Sequence, residues 1–221
     1  MPPFLLLYII SNPGFPVYQT VPADNILIDT SNLYVRTHIM ARTTFQGPVR
    51  SLGGIYQQGP AAVVEITSST TLNPVDHGGR IISIGGSLAA ALTLTLPTIN
   101  TSANSTTSGP GQDPSTANNE GVVYTIWVPT TISTSSLKIG TTSGSSDLYV
   151  GAVISIDSDS SGAVVAFSAN GSSNDFINLN GTTTGGVAGT WVQIVAIAAN
   201  KYMVSGNVIG SGTVATPFAD S

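Results

Sequence analysis

Along residues 92–96 the chain alternates leucine and threonine: Leu92, Leu94 and Leu96 share one parity, Thr93 and Thr95 the other. That two-residue period marks a strand with one face buried. Pro97, which cannot donate to a sheet ladder, ends it. Short stretches rich in Val, Ile and Tyr recur at 62–68, 80–85, 122–128, 136–139, 148–156, 163–168, 176–179, 190–198 and 201–204, set apart by polar and Gly-bearing segments. Asn170-Gly171 and Asn180-Gly181 supply residues that tolerate positive φ, as tight hairpins need. About ten strands at roughly eight-to-twelve-residue spacing predict an all-β fold: an antiparallel β-sandwich or jelly-roll-like domain over residues 61–206.

Before residue 61 the pattern is different. Prolines at 2, 3, 13, 16, 22, 48 and 60 forbid long helices and interrupt sheet pairing. Residues 1–60 therefore read as an extended N-terminal arm that lies on another surface. Its first segment, Phe4, Leu5, Leu6, Leu7, Tyr8, Ile9 and Ile10, is apolar but far shorter than the about 20 residues of a membrane helix, and no Lys or Arg precedes it as in a secretory signal. We expect it to dock the chain onto a neighbour. Two other stretches lack strand periodicity: 98–121, a Ser/Thr/Asn/Gly/Pro tract expected to be a long flexible loop, and 207–221, expected to be a C-terminal tail.

Composition strengthens the β reading. Charged residues make up 8% of the 221, against about 25% in ordinary soluble domains. Hydrophobic residues still reach 41%, so the chain has material for a core. So few Glu, Lys and Arg leave little from which to build a charged helix face. A surface this poor in charge suits a chain packed against copies of itself or a partner.

The net charge of −5 offers no basic stripe for nucleic acid. Through residue 60, Arg36, Arg42 and Arg50 stand against Asp24 and Asp29, a balance of +1; the remainder carries three basic and nine acidic residues, a balance of −6. The arm, with these three arginines, can thus face a different partner from the rest. The absence of Cys removes disulfides and thiolate chemistry and fits assembly in a reducing cytoplasm.

The residues that could carry chemistry read better as turns. Asp76-His77 sits between Asn73-Pro74 and Gly78-Gly79, and adjacent residues do not form a dyad. His38 is too far along the chain to give metal-ligand spacing with His77. Asp157-Ser158-Asp159-Ser160-Ser161-Gly162 resembles the opening of a calcium loop, but its twelfth position is Ser168 rather than Glu, which favours a polar hairpin turn. Glu65 and Glu120 are the only glutamates and carry no glycosidase pattern. Trp127 and Trp191 lie in strands, where core packing is the expectation, so no aromatic platform for a sugar is foreseen. Four Asn-x-Ser/Thr triplets, at Asn100, Asn104, Asn170 and Asn180, read as turn chemistry. No enzyme activity, cofactor or metal is expected.

An ordered set of segments carries a resemblance. Thr71-Leu72-Asn73-Pro74-Val75-Asp76-His77-Gly78-Gly79-Arg80 is followed by Leu92-Thr93-Leu94-Thr95-Leu96-Pro97 and Gly121-Val122-Val123-Tyr124-Thr125-Ile126-Trp127-Val128. Then come Leu179-Asn180-Gly181-Thr182-Thr183-Thr184-Gly185-Gly186, Trp191-Val192-Gln193-Ile194 and Lys201-Tyr202-Met203-Val204-Ser205-Gly206. Over roughly residues 65–206 this series resembles tailed-phage virion proteins of the capsid decoration, cement and head-fibre-base type. The resemblance implies antiparallel β domains, usually homotrimeric, attached to the major capsid protein on the outer surface of the virion, made in the host cytoplasm and without catalytic residues, nucleic acid or membrane partners. The alternative within the same setting is a tail-fibre or receptor-binding module that uses the 98–121 loop; a depolymerising enzyme is the third reading and has no residues to support it.

Overall fold

The computed structural model describes residues 59, 62–86, 88, 90–102, 118–159 and 162–220, together with strands β1 (Phe4–Ile9) and β2 (Val17–Pro22). By its contacts the chain divides into two units, Met1–Gly54 and Ile55–Ser221. In the first, β1 and β2 pair antiparallel from Phe4↔Pro22 to Ile9↔Val17. The second holds two mixed sheets and, among the described residues, no helix.

Every expected strand of this unit forms: β3 (Val63–Ile66), β5 (Ile81–Ile84), β6 (Leu92–Thr95), β7 (Val123–Trp127), β8 (Leu137–Gly140), β9 (Leu148–Asp157), β10 (Val164–Ser168), β11 (Phe176–Leu179), β12 (Trp191–Ala198) and β13 (Lys201–Gly210). Two short strands join them, β4 (Thr70–Thr71) and β14 (Phe218–Ala219). The seven-stranded sheet runs β10-β9-β13-β12-β7-β5-β3, and the five-stranded sheet β14-β11-β8-β6-β4.

The order is not the antiparallel one expected. From β3 to β8 the chain crosses to the opposite sheet at every step, and each new strand lies parallel to the one laid down a pass earlier. Val63, Ile81 and Thr125 fall in one register row of the larger sheet; Thr70, Leu94 and Ile139 do so in the smaller. Parallel neighbours require a long crossover, commonly a helix. Here a strand of the facing sheet serves, so parallel pairing arises without helices.

From β9 onward hairpins take over, with β9–β10 and β12–β13 antiparallel, although β13 lies parallel to β9. The tight hairpin is β12–β13, turning at Ala199-Asn200 with Asn200 at φ 61°. Asn170-Gly171 and Asn180-Gly181, expected as hairpin turns, instead sit where the chain passes between sheets, since β11 belongs to the other sheet from β10 and β12. Of the tail expected over 207–221, residues 207–210 extend β13 along β9, and Phe218–Ala219 forms the edge beside β11.

Both sheets turn one face to a single core. It includes Ile82 and Ile84 of β5, Leu92 and Leu94 of β6, Leu137 and Ile139 of β8, Ile177 and Leu179 of β11, and Val192 and Ile194 of β12, all at or near zero exposure. Burial of each such aliphatic side chain contributes about 1.5–3 kcal/mol. Three tyrosines complete the core. The Tyr149 hydroxyl donates to the Ile139 carbonyl (3.0 Å) and that of Tyr202 to the Pro97 carbonyl (2.6 Å), whereas the Tyr124 hydroxyl has no partner. Burial pushes all three hydroxyls well above the ordinary tyrosine range; neighbouring Tyr202 and Asp175 add to this at Tyr149, and Tyr124 and Asp147 at Tyr202.

Candidate interaction surface

The outward faces of the two sheets differ sharply. On the five-stranded sheet the outward positions carry Thr93, Thr95, Lys138 and Asn178, with Phe176 laid over Gly140 and the Lys138 ammonium 5.8 Å from the centre of its ring. Apart from Phe176, whose ring is covered in this way, this is an ordinary solvated face.

The seven-stranded sheet carries large apolar side chains on both sides. Among the described residues the large hydrophobic side chains left exposed are Val63, Ile81, Trp127, Ile154, Val164, Val165, Trp191, Ile197 and Met203, and all lie in its strands. One register row crosses the whole sheet: Glu65, Ser83, Trp127, Trp191, Asn207, Ile154, Ala166. Trp127 and Trp191 are directly opposite each other at its centre, 41% and 37% exposed. Two residues along runs Val63, Ile81, Thr125, Gln193, Ser205, and then Val123, Val195, Met203, Val150. The outward charges are Glu65 on edge strand β3 and Lys201 at the start of β13, whose ammonium donates to the Gly171 carbonyl (2.6 Å).

The expectation that both tryptophans pack in the core is therefore corrected. Their strands carry large apolar residues on both parities: in β12, Val192, Ile194 and Ala196 face the core, while Trp191, Val195 and Ile197 face out with Gln193 between them. The sequence signal was present in that double apolarity, which marks a strand covered on both sides.

The docking segment expected at the N-terminus is described only as backbone: Phe4, Leu5, Leu6, Leu7, Tyr8 and Ile9 form β1. Ile10, Arg36, Arg42, Arg50 and His38 lie outside the described residues.

The remaining candidates resolve into turns. Asn73 engages both members of the Asp76-His77 pair: its amide nitrogen donates to an Asp76 carboxylate oxygen (2.9 Å) and its backbone N–H to His77 Nδ1 (3.0 Å). Asp157 Oδ1 accepts from the Asp159 backbone (3.1 Å), and Asp159 Oδ2 from the Gly212 N–H (2.7 Å), fastening the β9–β10 hairpin to the strand end beside it. Among the described residues no three His, Asp or Glu side chains are grouped to hold a metal ion. Asn100, Asn170 and Asn180 each accept from a backbone N–H two residues on, in the manner of Asx turns. Glu65 borders an open hollow with Thr67, Ser69, Gly85, Leu88 and Leu92, and no second carboxylate lines it.

At the loop expected over 98–121, the two ends are latched. Asn119, 2% exposed, donates its backbone N–H to the Asn100 carbonyl (3.0 Å) and its side-chain amide to the Thr98 carbonyl (3.0 Å). Its Oδ1 accepts from the Asn100 N–H (2.9 Å). Residues 103–117 between these ends are outside the described set.

Compared with known proteins, the chain matches no family model, no curated protein and no solved structure.

Proposed function

We propose that this chain is a structural protein of a phage virion that decorates and cements the outer capsid surface, acting as a homotrimer bound to the major capsid protein. Its two sheets stack as a sandwich, and residues 1–60 act as an extended arm carrying the docking contacts of Phe4–Ile9, Ile10, Arg36, Arg42 and Arg50. The observation that carries this reading is the two-sided domain: one outward sheet face is polar, and the other carries eight of the nine large exposed hydrophobics among the described residues, as suits a subunit with one side in water and one side against protein. The low charge content supports it. Many modest contacts made at once by linked subunits would hold capsomers together against internal pressure, avidity supplying what single contacts lack.

The test is to prepare particles without the protein and add it back. Saturable binding in many copies per particle, with restored resistance to heat and osmotic shock, is the expected result; shells that survive equally well without it overturn the cementing role. The latch of Thr98 and Asn100 to Asn119 favours one other reading, a tail-fibre or receptor-binding module that presents the segment between them. A handful of copies at the tail, and loss of host adsorption when 103–117 are replaced by a short linker, would favour that reading instead.

A further inference from the structure

We infer that the outward face of the seven-stranded sheet is the surface through which copies of this chain associate, with Trp127 and Trp191 at its centre. The inference locates the self-association that the capsid reading assumes, and it rests on that reading only for the number of copies.

Eight of the nine large exposed hydrophobics occupy the outward alternation of this one sheet, and none is on the other sheet. The ninth, Val165, is on the opposite side of edge strand β10, which is exposed on both faces. Monomeric soluble proteins rarely gather their large exposed hydrophobics, two tryptophans among them, on one sheet face in this way. An unprotected apolar edge is a further hazard, since nothing charged or proline-bearing blunts it: β10 reads Val-Val-Ala-Phe-Ser.

Size is consistent with a stable interface. Seven strands about 4.8 Å apart span roughly 30 Å, and strand lengths of roughly 20 Å give a flat projection on the order of 600 Å², which protruding side chains raise toward the ~800 Å² per partner of a standard interface.

Character then selects the occupant. Interfaces that form and dissolve between different proteins are about as polar as the rest of the surface, whereas permanent ones between identical chains are distinctly more apolar. This face has Glu65 at one edge, Lys201 turned to a carbonyl at one end, and no charge pattern by which to recognise a charged partner. In an assembly of identical chains every copy brings this same face, so its burial between copies takes the exposed hydrophobics of all of them out of water at once. A glycan is the competing ligand for an opposed tryptophan pair. Sugar hydroxyls need polar partners beside the rings; Ser83 and Asn207 flank the pair in its own row, but the Gln193 amide already donates to the Thr125 hydroxyl (3.4 Å), and Ile81, Val195, Met203 and Ile154 give the surroundings an apolar character that favours protein over sugar.

The experiment is built in, because Trp127 and Trp191 are the only two tryptophans of the chain. The full chain is diluted while its mass is followed by sedimentation and its indole emission is recorded. We expect an oligomer whose emission is blue-shifted and moves to the red as it dissociates. The pair Trp127→Ser and Trp191→Ser should keep its circular dichroism and raise the dissociation constant by roughly a hundredfold or more. Ile81→Lys with Met203→Lys should do the same while leaving both indoles in place, and Lys138→Glu, on the polar sheet, should leave it unchanged. A wild-type chain that is monomeric at every concentration overturns the inference. So does an oligomer that persists in both double variants, or a monomer whose indole emission is quenched saturably by host surface polysaccharide. If the variants dissociate as expected but the wild-type oligomer fails to bind capsids, the inference stands and the capsid reading falls.

Discussion

Tyr124→Phe should make this protein more stable. The side chain is wholly buried between strands and its hydroxyl has no hydrogen-bond partner. A hydroxyl stripped of water without compensation costs about 1–3 kcal/mol, and phenylalanine fills nearly the same space. Allowing for the small void left by one oxygen, the expected gain is about 1 kcal/mol, or roughly 2–4 °C in Tm for a domain of this size. Tyr202→Phe and Tyr149→Phe are the internal controls. Their hydroxyls donate to the Pro97 and Ile139 carbonyls, so each should lose about 1 kcal/mol. The assay is urea unfolding of the three variants at one protein concentration, held fixed because association shifts apparent stability, with slopes checked for constancy. A Tyr124→Phe protein less stable than wild type by as much as its two siblings would refute the reasoning, since the hydroxyl must then have a partner.

Other outcomes follow from the same structure. The three core tyrosines are held neutral in the fold, while in the unfolded chain they ionise near pH 10. Because the folded state then binds more protons, stability is fully present below about pH 10 and falls above it, by up to about 4 kcal/mol per pH unit for three groups, which alkaline unfolding followed by tyrosinate absorbance will check. Asn119→Ala should cost about 2 kcal/mol and speed hydrogen exchange at the Asn100 amide, because its side chain closes the neck at both Thr98 and Asn100. Gly181→Ala should cost more than about 3 kcal/mol in thermal unfolding, since at φ 77° an added Cβ would run into the Ile132 backbone carbonyl.

The strands were largely legible and their directions were not. Alternation such as Leu92-Thr93-Leu94-Thr95 reports which side is buried, and a coil with two solvent-facing sheets alternates as a meander does. Direction is decided by pairings far apart in sequence, as between β5 and β7, whose partners are separated by the 98–121 excursion. Strands β4 and β14 are two residues each, too short to show any period. The turn chemistry of Asn73, Asn170 and Asn180 was readable because it is local. What the Asn-Gly pairs could not tell is whether the chain leaving the turn rejoins its own sheet. The tryptophans misled for a related reason: a strand apolar on both parities offers no local clue to which side the core takes.

The alternating passage of β3 to β8 also sets an order of assembly during synthesis. A strand emerging from the ribosome in this half finds its sheet neighbour only after the chain has crossed to the other sheet and back, and β7 gains its second neighbour when Trp191 arrives opposite Trp127. The Tyr202 hydroxyl closes on Pro97 across 105 residues. Contacts of that range form slowly, whereas the two-residue turn at Asn200 lets β12 and β13 pair at once. The β9–β10 and β12–β13 hairpins can thus pair as they emerge, whereas the first half closes its sheets only through partners that arrive a full crossover later.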